Sequence, residues 1–229
     1  MKFISPLLSD ARASVGGATF SKNRGGNYIR AKVAPVQPRT VAQQDARASL
    51  ALFSGQWKGL TATQRAGWTG LAASITLKDS LGTSYNPTGN QLFVGNNRNL
   101  SDAVESAITT APASAPDYPE ITPLTLAATA GTPTMTIATA LSAAPTGFVF
   151  LVRATPQSSP GRSYFGQSSY RLIGSFAATA YASLNILSAY TARFGTLTAG
   201  QKVQVAVSLV QITSGFQSLQ NTAVVIIGA

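Results

Sequence analysis

Residues 16–32 read GGATFSKNRGGNYIRAK, followed by APVQPRT at 34–40, VAQQDARASLALFSGQWKG at 41–59 and TATQRAGWTGLAAS at 61–74. The first stretch predicts a β-hairpin. Val15, Ala18 and Phe20 lead into Lys22-Asn23-Arg24-Gly25-Gly26, and Tyr28, Ile29 and Val33 follow. Asn and Gly tolerate the positive φ that tight hairpin loops need. Pro35 and Pro38 then stop the strand and hold an extended linker.

Working outward, Thr40 with Gln43 has the spacing of a capping box and predicts a helix start. Val41, Ala48, Leu52 and Phe53 suit one side of that helix, with Leu50 and Trp57 broadening the stripe and Gly59 ending it. Thr61 with Gln64 repeats the box, and Trp68, Leu71, Ala72 and Ile75 give a second helix its apolar side. Two helices joined so tightly predict a helical hairpin, with Phe53, Trp57, Trp68 and Leu71 as its core. A helix-turn-helix DNA reader is the sharper alternative. It is disfavoured because TQRAGWTGLAAS offers one arginine and two glycines, hence few long polar side chains for base edges.

Residues 76–90 are rich in turn formers, and GNQLFVGNNRNL at 89–100 predicts a short helix with Leu92, Phe93 and Leu100 facing inward. Its amides, Asn96, Asn97 and Asn99, suit capping or a subunit contact. Four prolines in TTAPASAPDYPEITP at 109–123 predict a stiff extended connector and place a domain boundary there. Beyond it six stretches read as strands: LTLAATAG, TMTIATAL, GFVFLVRATP, YRLIGSFA, QKVQVAVSLVQIT and NTAVVIIGA. Their spacing predicts an antiparallel β-sandwich of immunoglobulin or fibronectin type III kind, with Phe148, Phe150, Val205 and Val207 inside. ILSAYTARFGTLTAGQ is expected as a connection that sends Tyr190 and Phe194 into the core. The fold class is therefore α+β: a basic hairpin arm at 1–39, a helical domain at 40–108, a linker at 109–123 and a sandwich at 124–229.

Composition narrows the chemistry. The 229 residues include neither His nor Cys, which removes Ser-His-Asp and Cys-His catalysis, His- or Cys-based metal sites and disulfides. Of seven acidic residues, Asp102/Glu105 and Asp117/Glu120 are close in sequence. Two carboxylates near a helix start, as Asp102 and Glu105 are expected to be, more often serve the helix dipole than glycoside hydrolysis. No catalytic residue, metal or cofactor is expected, and no apolar run approaches the ~20 residues needed to cross a bilayer. The opening MKFISPLLSDARA lacks the long apolar core of a secretory signal, so it is expected to be a mature terminus made in a cytoplasm.

The net charge is +10, and +6 of it falls in residues 1–39, where Lys2, Arg12, Lys22, Arg24, Arg30, Lys32 and Arg39 face Asp10 alone. Lys22, Arg24, Arg30, Lys32 and Arg39 are the expected partner contacts, with the acidic face of a neighbouring subunit or with nucleic acid. Tyr164, Phe165, Tyr170 and Tyr181 are candidate stacking residues should the sandwich bind carbohydrate. Filling a core or a subunit contact is the commoner use of such aromatics.

Three motifs extend this reading. They are Gly16, Gly17, Ser21, Arg24, Gly25, Gly26 and Arg30; then Pro38, Thr40, Gln43 and Arg47; then Leu60, Thr61, Gln64, Arg65 and Trp68, with NPTGNQLFVGNN at 86–97 beyond them. Over roughly residues 14–100 this pattern resembles proteins encoded in tailed-phage and prophage structural gene clusters. The resemblance implies a virion component, assembled in the host cytoplasm from copies of itself and other virion proteins. It carries over no catalytic chemistry. The sandwich resembles phage appendage and decoration domains at fold level alone.

Overall fold

The computed structural model describes residues 2–3, 12–23, 26–34, 36–37, 39–79 and 81–229. The chain is α+β. It divides into two compact units, Met1–Val94 and Gly95–Ala229, each described separately below.

The first unit opens with a four-stranded antiparallel sheet of β1 (Lys2–Phe3), β2 (Ala13–Val15), β3 (Ala18–Asn23) and β4 (Gly26–Ala31), in the order β1-β4-β3-β2. Asn23 faces Gly26 across the β3–β4 hairpin, and Gly26 adopts φ +100, a conformation that glycine reaches without strain. Arg24, Gly25, Pro35 and Pro38 lie outside the described residues.

Helices α1 (Val41–Gly59) and α2 (Ala62–Ser74) follow. Thr61 and Gln64 close a full capping box on α2. On α1 only half of the expected box forms: Thr40 Oγ1 accepts from Gln43 N–H at 3.4 Å, while Gln43 Oε1 is buried without a hydrogen-bond partner. Gly59 is the last helical residue, and α1 is stopped by Leu60 in extended conformation rather than by a left-handed glycine. The expected apolar side of α1 also needs correction. Phe53, Trp57 and Leu60 recur at i, i+4 and i+7 and turn inward, whereas Val41, Leu50 and Leu52 are 73, 57 and 56% exposed. At 100° per residue Val41 and Leu52 fall on the side away from Phe53.

The start of α3 (Gly89–Asp102) completes the first unit's core. Phe93 is fully buried between two indoles, 5.6 Å from Trp57 and 5.4 Å edge-on from Trp68. The segment Asn86-Pro87-Thr88-Gly89 makes this packing possible. Asn86 Nδ2 donates to the carbonyls of Ala73 and Ile75 at the end of α2. Thr88 and Gln91 form another reciprocal cap. Gly89 approaches Thr69 so closely that a Cβ there would lie 2.9 Å from Thr69 N. A small ladder of β5 (Leu77–Lys78) and β6 (Ser84–Tyr85) links α2 to α3.

The second unit contains two antiparallel sheets. One has the order β10 (Arg171–Ala177), β9 (Phe148–Ala154), β12 (Lys202–Gln211), β13 (Asn221–Ile226). The other has the order β11 (Leu184–Asn185), β8 (Thr134–Ala138), β7 (Thr125–Thr129). Both contribute to one core, where Phe150, Val152, Val205 and Val207 meet Met135 and Ile137, all fully buried. After β13 the chain changes sheets: Gly228 N–H donates to Ala128 C=O, and Ala130 N–H donates back to Gly228 C=O. Such switches close the corner of packed sheets.

Strands β9 and β12 are buried on both faces. Their other side carries Val149, Leu151 and Val210, which pack with Leu100 and Ala103 from the end of α3. Asn96 and Asn99 donate to the carbonyls of Ser214 and Gly215, and Asn97 both donates to and accepts from the Ile108 backbone. These contacts place residues 95–108 in the second unit. The division therefore falls inside α3, upstream of the connector at 109–123 where the sequence suggested it. The connector itself packs into the same unit, with Ile121 buried and Tyr118 6.0 Å from Phe148.

Residues 187–194, expected as connection, form helix α4 (Leu187–Phe194), ended by Gly195 at φ +87. Leu187, Tyr190 and Phe194 share its inner side. Tyr190 is fully buried, and Phe194 is half-buried with its ring 4.9 Å away.

Candidate functional site

In the N-terminal sheet no described side chain is buried, while Ala18–Ser21 and Asn27–Ile29 are half-buried. Alternation along antiparallel strands assigns each residue to a face. Val15–Ala18–Ala31 and Ala13–Phe20–Ile29 form adjacent cross-strand rows on one face, with Lys22 beside Asn27 at its end. Ser14–Thr19–Arg30 and Ser21–Tyr28 form rows on the other. Ser14 Oγ lies 3.0 Å from Thr19 Oγ1 and braces that row. One face is thus apolar, and the other carries hydroxyls and basic groups. Among residues 12–23 and 26–31 none is buried, and Val15 and Val33 are 68 and 74% exposed.

The sequence-predicted contact residues fall into two groups. Arg30 and Lys32 line one shallow groove of about 320 Å³ with Thr19, Ala31 and Val33. Lys32 N–H donates to Gly17 C=O, which prolongs the β4 path beyond Ala31. Lys22 sits on the apolar face, and Arg39 lies beyond β4 at φ +52. All four are exposed, and none forms an ion pair among the described residues. Arg24 lies outside the described residues.

Most of the other candidates resolve into packing. Phe53, Trp68 and Leu71 are buried and Trp57 is half-buried in the first unit. Phe150, Tyr190, Val205 and Val207 are buried in the second unit's core, and Phe148 and Phe194 pack against it. Tyr190 donates to Thr155 C=O at 3.1 Å, and burial raises its phenol pKa. Tyr118 is raised to about 12 for the same reason. Of the aromatics considered for carbohydrate, Tyr164 is 77% exposed, and Phe165 is covered by the Arg162 guanidinium 4.6 Å from its ring centroid. Tyr170 and Tyr181 are half-buried, and burial raises the Tyr170 phenol.

The carboxylates Asp102 and Glu105 do not work as a pair. Asp102 takes Arg98 at 2.8 Å and Arg153 at 3.7 Å, while Glu105 lies past the helix end. Burial lowers the Arg153 guanidinium from its ordinary value, with Asp102 opposing that shift. Among the described residues no cluster of acidic side chains could hold a metal ion, and no helix is long and apolar enough to cross a membrane. Comparison with protein families, with curated proteins and with solved structures finds no match to this chain.

The basic residues are evident in the sequence, but their faces are not. The register separates Arg30 and Lys32 from Lys22, and the period-2 pattern of residues 13–31 carries that signal.

Proposed function

We propose that this chain is a non-enzymatic structural component of a phage-like virion, at the capsid surface, neck or tail. It works by assembly with copies of itself and with other virion proteins. The observation that carries this reading is the N-terminal sheet, amphipathic across its faces and with none of its described side chains more than half-buried. A small sheet recovers little of its ordering entropy from ladder hydrogen bonds alone. Covering its apolar face with a neighbouring subunit supplies the missing burial, as an arm does in an assembly. Val41 and Leu52, exposed on one side of α1, offer a neighbour further apolar area. We read the second unit's paired sheets as an immunoglobulin- or fibronectin-type sandwich, the part that projects or tiles.

The same basic groove supports a second reading, salt-sensitive binding of nucleic acid. Light scattering on the purified protein, at low and high salt and with and without duplex DNA, separates the two. Rings, tubes or defined oligomers formed without DNA are expected. A monomer that gains mass only when DNA is added would replace the assembly reading with the second one.

A further inference from the structure

The charge along the chain is segregated. Four of the seven acidic residues, Asp102, Glu105, Asp117 and Glu120, fall between 102 and 120, and no basic residue occurs from 99 to 152. Asp102 is occupied by Arg98 and Arg153. Asp117 and Glu120 are exposed, Glu105 is half-exposed, and none of the three has an ion pair among the described residues. The segment carries no helix or strand between Asp102 and Thr125, and it begins with Val104, 83% exposed.

We propose that the partner of the N-terminal sheet is a second copy of this chain, bound head to tail. The Thr19, Arg30 and Lys32 groove of one copy receives Glu105, Asp117 and Glu120 of the next. This rests on the assembly reading above. A protein of net charge +10 repels its own copies over most of its surface, and the 102–120 segment is where a basic groove meets attraction instead. The groove also suits carboxylates better than a nucleic-acid strand. It offers two cations beside Ala31 and Val33, without the run of stacking aromatics that single strands use. A contact between two different surfaces is heterologous, so it closes into a ring or propagates as a filament.

Charge reversal in trans tests it. Arg30→Glu/Lys32→Glu and Glu105→Lys/Asp117→Lys/Glu120→Lys are each expected to be monomeric alone, and their equimolar mixture is expected to assemble. Wild-type association should weaken by about tenfold or more as NaCl rises from about 50 mM to about 500 mM. A mixture of folded variants that stays monomeric overturns the proposal. If the groove variant loses assembly while the acid variant assembles normally, the head-to-tail contact is wrong and arm-mediated assembly stands. Wild-type protein that is monomeric throughout, or gains mass only with duplex DNA, overturns both. Should the acid-reversed variant fail to fold by circular dichroism, Glu105→Gln/Asp117→Asn/Glu120→Gln replaces it. That variant should associate about tenfold more weakly, since the two groove cations lose all three carboxylates that face them, and unchanged association overturns the contact.

Discussion

The sheet of β2, β3 and β4 and the sheet built on β9 and β12 are made of the same kind of alternating strand, but their surroundings are opposite. The first buries no described side chain; in the second the central strands β9 and β12 are buried on both faces. Strand pattern therefore decides which residues share a face, while the neighbouring elements decide whether that face becomes core. In the second unit those neighbours are covalently present: β7, β8 and β11 cover one side, and the end of α3 covers the other. In the first, the neighbour proposed here comes from another molecule.

The largest test of this contrast is a pair of truncations. Phe150→Ala empties a fully buried site between the sheets and should cost about 3–5 kcal/mol. Phe20→Ala, half-buried on the apolar face of the N-terminal sheet, should cost about 1 kcal/mol of folding stability and act mainly on assembly. Urea unfolding followed by far-UV circular dichroism measures both. Both tryptophans lie in the first unit, so their fluorescence reports that unit separately. A large stability loss from Phe20→Ala would mean that the sheet already has its core within the chain.

Asn97→Ala probes how α3 is held to the second unit. Its amide both donates to and accepts from the Ile108 backbone, at 3.1 and 2.7 Å, while fully buried. Removing it leaves two backbone groups without that partner and should cost about 2–3 kcal/mol in the second unit's transition. A loss confined to tryptophan fluorescence would assign this part of α3 to the first unit after all.

These tests also mark what was legible beforehand. All six long strands of the second unit and the first three helices could be read from alternation, spacing and Thr-x-x-Gln caps. Leu187, Tyr190 and Phe194 have helical spacing, but α4 is short and its periodicity is easily lost among loop residues. The two-sided burial of β9 was hidden for another reason. Val149 and Leu151 announce an apolar outer face, yet nothing local says that Leu100 and Ala103 will cover it. The same holds for Arg30 and Lys32, since charge shows in the sequence while the shared groove needs the register. The Thr88–Gln91 cap was readable in principle, by the same spacing as Thr61–Gln64.

Smaller effects follow from buried phenols. Tyr190→Phe removes the donor to Thr155 C=O and should cost about 1–2 kcal/mol. Burial raises both Tyr118, to about 12, and Tyr190, because the phenolate is penalised in the folded state. Each raised phenol contributes stability that is fully present below the unfolded value near 10. That contribution is lost as pH climbs through the folded value, since the unfolded chain releases its protons first. The second unit's urea midpoint should fall between pH 10 and about 12, and less steeply in Tyr190→Phe. A flat midpoint across that window would remove burial as the source of the shift.

The smallest expected effect has the opposite sign. Val104 stands at φ +63, a region where a β-branched side chain crowds its own backbone. It is held there because α3 closes with Glu105 N–H on Leu100 C=O and Val104 N–H on Ser101 C=O, a cap that usually carries glycine at this position. The left-handed conformation costs roughly 1–2 kcal/mol for an L-residue. Val104 is 83% exposed, so little burial offsets that cost within one copy. Val104→Gly should therefore stabilise the second unit by about 1 kcal/mol, part of the relief being returned through the looser unfolded chain. If the valine is kept for the contact between copies, the same variant should fold better and associate less well. A variant that gains stability and associates unchanged would confine the contact to the carboxylates.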